Sequence, residues 1–394
     1  MGGLKIDYLS PTLYLTDILM FLVLFFWALT KRKKLLCSVF EFLHSSRFYL
    51  IILVIFGCLL FAVNFVNPFS HILKIVKIIE LFFIGLYISK KVSIKQYSVL
   101  IIVLSVGVVF ESTLAIVQLI NKGSLEGILY LFGERAFNEN TPGIAQAIIN
   151  GKLLLRPYGT LPHPNVLAGY LLVCFFLISF NNKIKWFYYL TSILIFEVIF
   201  LSFSRSVWLT GSILFFIVGI LNIKKLFSLI RNQKIIFVMF PLLFVVFIFL
   251  LNPIKDRFYS LKNTDMQTIE KRNNLSNLSV EMFKSSPLIG VGLNNFIPNI
   301  PLYAKDNAQI RWYQPVHNIY LLILSEAGVV GFVIFILFIY KTLKKNKNKP
   351  LVFYLALATI LLVGLFDHYF ITLQQTEILF AVVIGLFWTK IEKK

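Results

Sequence analysis

Four short clusters hold the residues of this chain whose types and spacing could do chemistry. In Arg156-Pro157-Tyr158-Gly159-Thr160-Leu161-Pro162-His163-Pro164-Asn165, prolines and a glycine fix the backbone around a guanidinium and an imidazole. Such a pair could grip an anionic group; equally, Asn165 reads as a helix start and Arg156 as a snorkelling cation. Ser204-Arg205-Ser206 is a lone cation in a very short hairpin between two apolar stretches, with a hydroxyl on either side. Ionisable groups at such a boundary are functional candidates. The planar donor fork of arginine suits phosphate oxygens, a pyrophosphate above all.

The third cluster runs from Lys271-Arg272 through a polar helical stretch to Pro287-Leu288-Ile289-Gly290-Val291-Gly292 and on to Asn294, Asn295 and Phe296. Its glycines allow close backbone approach to a ligand or a tight turn, so Arg272 is the more informative residue. The fourth is Pro315-Val316-His317-Asn318-Ile319-Tyr320-Leu321, continuing to Ser325-Glu326-Ala327-Gly328. His317 opens a helix and takes a proton near neutral pH, which makes it the best general-base candidate among the five histidines. Glu326 lies about half a revolution round that helix from His317, so the two form no same-face dyad. Glu111 with Gln118, and Glu197, fall inside expected spans and are read as buried polar groups that need partners, structural before catalytic. Spacing suggests neither a metal-ligand motif nor a cysteine pair, and a metal-independent, cofactor-free site is the simpler expectation.

These clusters must be positioned by elements whose solvent is lipid. At 58% hydrophobic, with 41 phenylalanines and a mean hydropathy of +0.82, the chain has more apolar surface than a soluble core absorbs. Apolar stretches of membrane-crossing length recur from end to end. Eleven candidate spans fall near 15–29, 48–66, 70–89, 97–120, 165–180, 186–203, 206–222, 235–252, 316–340, 351–371 and 376–389. The net charge of +20 would suggest nucleic acid, but 22 of the 38 basic residues sit in alternate short connections and the tail. That pattern is a topology signal and argues against a nucleic-acid partner.

The positive-inside rule puts that side, and the C-terminus, in the cytoplasm, with the N-terminus outside. The N-terminal stretch lacks the features of a cleaved signal peptide, so the first span is expected to stay as an anchor. The expected architecture is a single polytopic, all-α membrane domain over 1–394, with two long extracytoplasmic loops, 121–164 and 253–315, the second carrying part of the site. All four clusters then fall on the outer face of a cytoplasmic-type membrane.

The order Arg-x-x-Gly-Thr-x-x-His-Pro-Asn (156–165), Ser-Arg-Ser (204–206), Arg272 with Pro-Leu-Ile-Gly-Val-Gly (287–292), and His-Asn-x-x-Leu (317–321) resembles the O-antigen ligase and polymerase superfamily. The resemblance implies a C-type glycosyltransferase fold that moves a glycan from a polyprenyl diphosphate carrier to an acceptor hydroxyl, with inversion. The acceptor could be a lipid, a glycan or a protein. By motif, Arg205 and Arg272 would hold the diphosphate and His317 would be the base; Arg156, His163, Asn165 and Asn318 would line the substrate site. The family leads one to expect an even number of spans, so an odd count departs from it. The competing readings are a flippase or transporter of lipid-linked glycans, which would need cations along a path across the bilayer, and a non-catalytic scaffold.

Overall fold

The computed structural model describes residues 12–44, 65–149, 152–179, 185–221, 266–304, 314–345 and 348–391. The expected spans near 48–66 and 235–252 lie outside these, apart from residues 65 and 66. Helices α1 (Leu15–His44), α2 (Pro68–Lys91), α3 (Ile94–Asn121), α4 (Pro164–Ile178), α5 (Lys185–Leu201), α6 (Arg205–Leu221), α7 (Met266–Ser285), α8 (Phe296–Tyr303), α9 (Ile319–Lys345), α10 (Leu351–Val363) and α11 (Gln374–Trp388) dominate the described residues. A small hairpin, β1 (Gln146–Ile149) and β2 (Lys152–Leu155), pairs antiparallel with Gln146 opposite Leu155.

Among the described residues, Ile94–Asn121 and Ile319–Lys344 are long and apolar enough to cross a membrane; α1, α4, α5, α6, α10 and α11 contain shorter apolar helices. Large apolar side chains face outward on several of them, including Phe21, Phe26, Val103 and Phe216, each more than 60% exposed. Water would penalise such faces and lipid does not. Helix α1 runs on through the basic stretch Lys31–Lys34 instead of ending before it, as Lys, Arg and Leu are all good helix formers. Helix α10 stops at Val363, well short of the expected end near 371, and turns with one 3-10 segment lead into α11.

The chain forms two compact units. One comprises Met1–Ser93, Lys271–Lys349 and Gly364–Lys393. Within it α2 packs on α11 and α1, and α9 packs on α11 and α8. Asn67 caps α2 by accepting from Ser70 N, and Asn295 bonds both the amide and the carbonyl of Asn67. Lys74 of α2 pairs with Glu377 of α11, Lys77 lies 3.5 Å from Asp17 of α1, and Gln374 donates to Asp17. Charges that lipid would punish are thereby neutralised in pairs.

The other unit comprises Ile94–Glu270 and Pro350–Val363, with Lys394. Its centre is α4, whose residues are buried along nearly their whole length. Around it pack α3, α5, α6 and α10. Tyr97 is fully buried and donates to Leu177 O at 2.6 Å, satisfying its hydroxyl inside an apolar core.

Candidate functional site

The motif at 156–165 is shaped by α3. Glu111 and Gln118 are seven residues apart, two turns, and so share a face. Gln118 Oε1 accepts from Tyr158 N and Gly159 N at 3.1 and 2.8 Å, and its amide donates to Gly159 O and Glu134. Glu111 accepts from the amide of Thr160 at 2.8 Å and from its hydroxyl. Gly159 has φ +62°, a conformation that favours glycine, and a Cβ there would displace the Glu111 carboxylate from its bonds to Thr160. Replacing Gln118 by Leu is expected to strand the buried amides of Tyr158 and Gly159 at about 1–3 kcal/mol each. Thermal unfolding of the solubilised variant should show the loss, and a wild-type midpoint would contradict this role.

Arg156 is buried; its Nε donates to Ser202 O at 2.5 Å and a terminal nitrogen donates to Asn165 Oδ1 at 2.6 Å. His163 caps α4, its Nδ1 accepting from Asn165 N at 3.1 Å. These three residues, expected from the motif to line a substrate site, thus bond to one another and to the turn before α6. That turn holds Phe203 at φ +51° and presents Arg205, partly exposed, as the first residue of α6, with the hydroxyls of Ser204 and Ser206 3.4 Å apart. The Arg156–Ser202 bond therefore ties the first sequence cluster to the turn that leads into the second.

In the other unit the third and fourth clusters interlock. Helix α9 is broken at Gly328, which has φ 64° and ψ −166°. Val291 N and Gly292 N donate to Ser325 O and Glu326 O at 2.9 Å each, while Val329 N and Val330 N donate to Pro287 O and Leu288 O at 2.8 and 3.2 Å. The break exposes backbone groups, and the 287–292 turn satisfies them, as a bilayer requires. Glycines 290 and 292 of the motif are here apposed to protein: a Cβ on Gly290 would sit 2.3 Å from the Glu326 carbonyl carbon. Glu326 accepts from Asn294 N and Phe296 N, fixing the start of α8.

This crossing positions the start of α9. Asn318 caps the helix, Oδ1 accepting from Tyr320 N and Leu321 N at 2.9 and 3.1 Å, and its amide donates to Leu365 O. Ile319 N donates to Gly364 O at 2.8 Å, docking the His-Asn pair on the connection between α10 and α11. Helix α7 lies against the same region through Leu275, Leu278 and Met282, which pack with Val316 and Leu322. Ser279 Oγ donates to Leu321 O at 2.9 Å. Arg272 lies one turn before Leu275 on that stripe and is partly buried.

The connection from 364 to 373 supplies what the sequence reading missed. His317 Nδ1 lies 3.2 Å from Asp367 Oδ1, and His368 stacks obliquely on His317 with ring centroids 5.3 Å apart. Burial works against a charge on Asp367, but the fields and hydrogen bond of His317, with His368 and Arg272, outweigh it and hold the carboxyl well below its usual range. Burial pushes the ring of His368 down to about 3, so it is neutral. With Asp367 accepting Nδ1–H, Nε2 of His317 is the nitrogen left to take a proton once the Gln314 amide, whose Oε1 lies 3.3 Å away and can only accept, turns from it. Asp367 and His368 were read as part of an apolar span. The signal available was an Asp-His pair inside an apolar run, which is a functional candidate by default.

Residues 190–336 match the O-antigen ligase family model. The matched stretch holds Arg205, Arg272, His317, Asn318 and Glu326, and it supports the superfamily suggested by the motifs. It indicates glycosyltransferase activity of the O-antigen ligase or polymerase type in general, in polysaccharide biosynthesis, within a family that is embedded in the membrane of the cell envelope. At the same general level it implies a lipid-linked glycan donor and a glycan acceptor. No curated protein and no solved structure matches the chain significantly. Arg156, His163 and Asn165 precede the O-antigen ligase match, and Asp367 and His368 follow it.

Proposed function

We propose that this chain transfers a glycan from a polyprenyl diphosphate carrier to an acceptor hydroxyl on the extracytoplasmic face of a cytoplasmic membrane. The observation that carries the reading is the His317–Asp367 pair at the start of α9, inside or beside a stretch that matches the O-antigen ligase family and under the field of Arg272. In this scheme His317 Nε2 takes the proton of the acceptor hydroxyl, and Asp367 orients the ring and offsets its charge. The acceptor oxygen attacks the anomeric carbon as the bond to the carrier diphosphate breaks, inverting that centre, and the diphosphate leaves with the electron pair. Arg205 and Arg272 supply guanidinium charge to the diphosphate, where negative charge grows. No step calls on a metal.

The architecture proposed with this function is the polytopic one of eleven spans, N-terminus outside and C-terminus in the cytoplasm, with the 121–164 and 253–315 loops on the outer side. The acceptor is a lipid, a growing glycan or a protein. Arg205→Ala and Arg272→Ala are each expected to lower transfer by about 10²–10³, the usual loss when a donor to a developing charge is removed. Lysine at either position should restore part of the rate, since charge returns without the fork. Transfer by purified protein in lipid, followed with radiolabelled polyprenyl-diphosphate glycan, measures this. Wild-type rates in the alanine variants would remove these residues from the donor site, and leaflet-to-leaflet movement of intact lipid-linked glycan without transfer would favour a flippase.

A further inference from the structure

We propose that His317, Asp367 and His368 form a binding site for a divalent transition-metal cation of the zinc class, and that its occupancy switches off His317 as a base. The three residues each offer one ligand atom, and these atoms lie within 4.8 Å of one another. Asp367 Oδ1 is 3.2 Å from His317 Nδ1 and 4.0 Å from His368 Nε2. Donors at zinc bond lengths on one tetrahedral ion lie about 3.4 Å apart, between the two Asp367 separations and inside the 4.8 Å bound on the set, so side-chain rotation that draws the two imidazoles together seats the ion.

The far ring nitrogens are supported as those of ligating histidines usually are. Thr372 Oγ1 donates to His368 O at 3.2 Å and lies 2.7 Å from His368 Nδ1, so it accepts the Nδ1 proton and the lone pair of Nε2 points toward Asp367. His317 Nε2 faces Gln314 Oε1 at 3.3 Å, ready to donate once it carries the ring proton. Two imidazoles and one carboxylate select a transition metal over magnesium or calcium, whose sites are built from oxygens. The charge of Arg272, felt by both Asp367 and His368, opposes any cation here, so only a metal that bonds strongly to imidazole nitrogen can hold the site.

The exclusion of catalysis follows from the tautomer. Without metal, Nδ1–H of His317 faces Asp367 and Nε2 can accept a proton. With Nδ1 on the metal, the ring proton moves to Nε2, which then only donates. Metal binding and general-base action thus use incompatible forms of one ring. This consequence rests on the proposed transfer reaction, whereas the metal site itself does not.

The test uses the full chain in lipid nanodiscs, with Co²⁺ as a spectroscopic probe and Zn²⁺ as its competitor. Wild type should develop the visible absorption of ligand-bound Co²⁺ and lose it on adding Zn²⁺, whether or not it transfers glycan; no such band overturns the site. In glycan transfer, Zn²⁺ should inhibit wild type, while His368→Gln, normalised to its own metal-free rate, should resist and show no cobalt band. Equal zinc sensitivity in the two proteins overturns the proposal. If His368→Gln does not accumulate, Thr372→Val takes its place, with zinc affinity expected to fall about 10–100-fold; unchanged affinity is again a refutation. An inactive wild type that still binds Co²⁺ would strike down the transferase reading and leave the metal site standing.

Discussion

His317→Ala is expected to reduce glycan transfer by about 10²–10⁴, the contribution general-base catalysis usually makes, with little change in accumulation. The ring is partly exposed, with 20% of its side-chain surface open, and its removal leaves no large cavity. Asp367→Asn should act in the same direction through the tautomer. An amide in place of the carboxylate can donate to Nδ1, which would move the ring proton to Nε2 and take away the acceptor. The two losses should not add, because they remove one function. A double variant at the product of the single losses would argue that Asp367 acts independently of His317.

The second large effect lies in the crossing of 287–292 with the broken helix. Gly290→Val should prevent folding, because its Cβ would fall within 2.3–2.5 Å of the Glu326 and Ala327 backbone and φ is +70°. Neither segment can retreat without losing the four backbone hydrogen bonds between them, each worth about 1 kcal/mol net and more where water cannot replace it. Gly328→Val meets Leu288 backbone atoms at 2.3 Å from the other side and should behave alike. Size-exclusion profiles of fluorescently tagged protein in detergent report this directly. A monodisperse Gly290→Val peak at wild-type height would contradict the account of the crossing.

The helices were legible because apolar length is a strong signal, and α2 to α6, α9 and α11 fall where hydropathy puts them. Their interruptions were not. The run from Ile319 is interrupted by Ser325-Glu326 and Gly328 and turns apolar again from Val329, so hydropathy averages over the break, whose partner is a turn some forty residues upstream. The end of α10 at Val363 was masked in the same way, since Leu365, Phe366, Tyr369 and Phe370 keep the pattern apolar while the backbone turns.

At the site, residue chemistry pointed to His317 and the arginines, but pairing is a tertiary fact. Asp367 lies fifty residues from His317, and no spacing rule links them. Spacing likewise could not gather His317, Asp367 and His368 into one ligand set. For Arg156, His163 and Asn165 the motif was visible but its bonding was not. The turn also depends on Glu111 and Gln118, whose structural role their seven-residue spacing suggested.

The most direct test of the transferase reading is a single-turnover assay with purified chain in nanodiscs, polyprenyl-diphosphate glycan as donor and wild type beside His317→Ala. The account predicts that wild type releases polyprenyl diphosphate and forms a new glycosidic product, a ladder if it polymerises or one product if it ligates, while the variant binds donor and forms almost none. Equal product from both proteins, or intact donor with wild type under conditions where it binds, would contradict it.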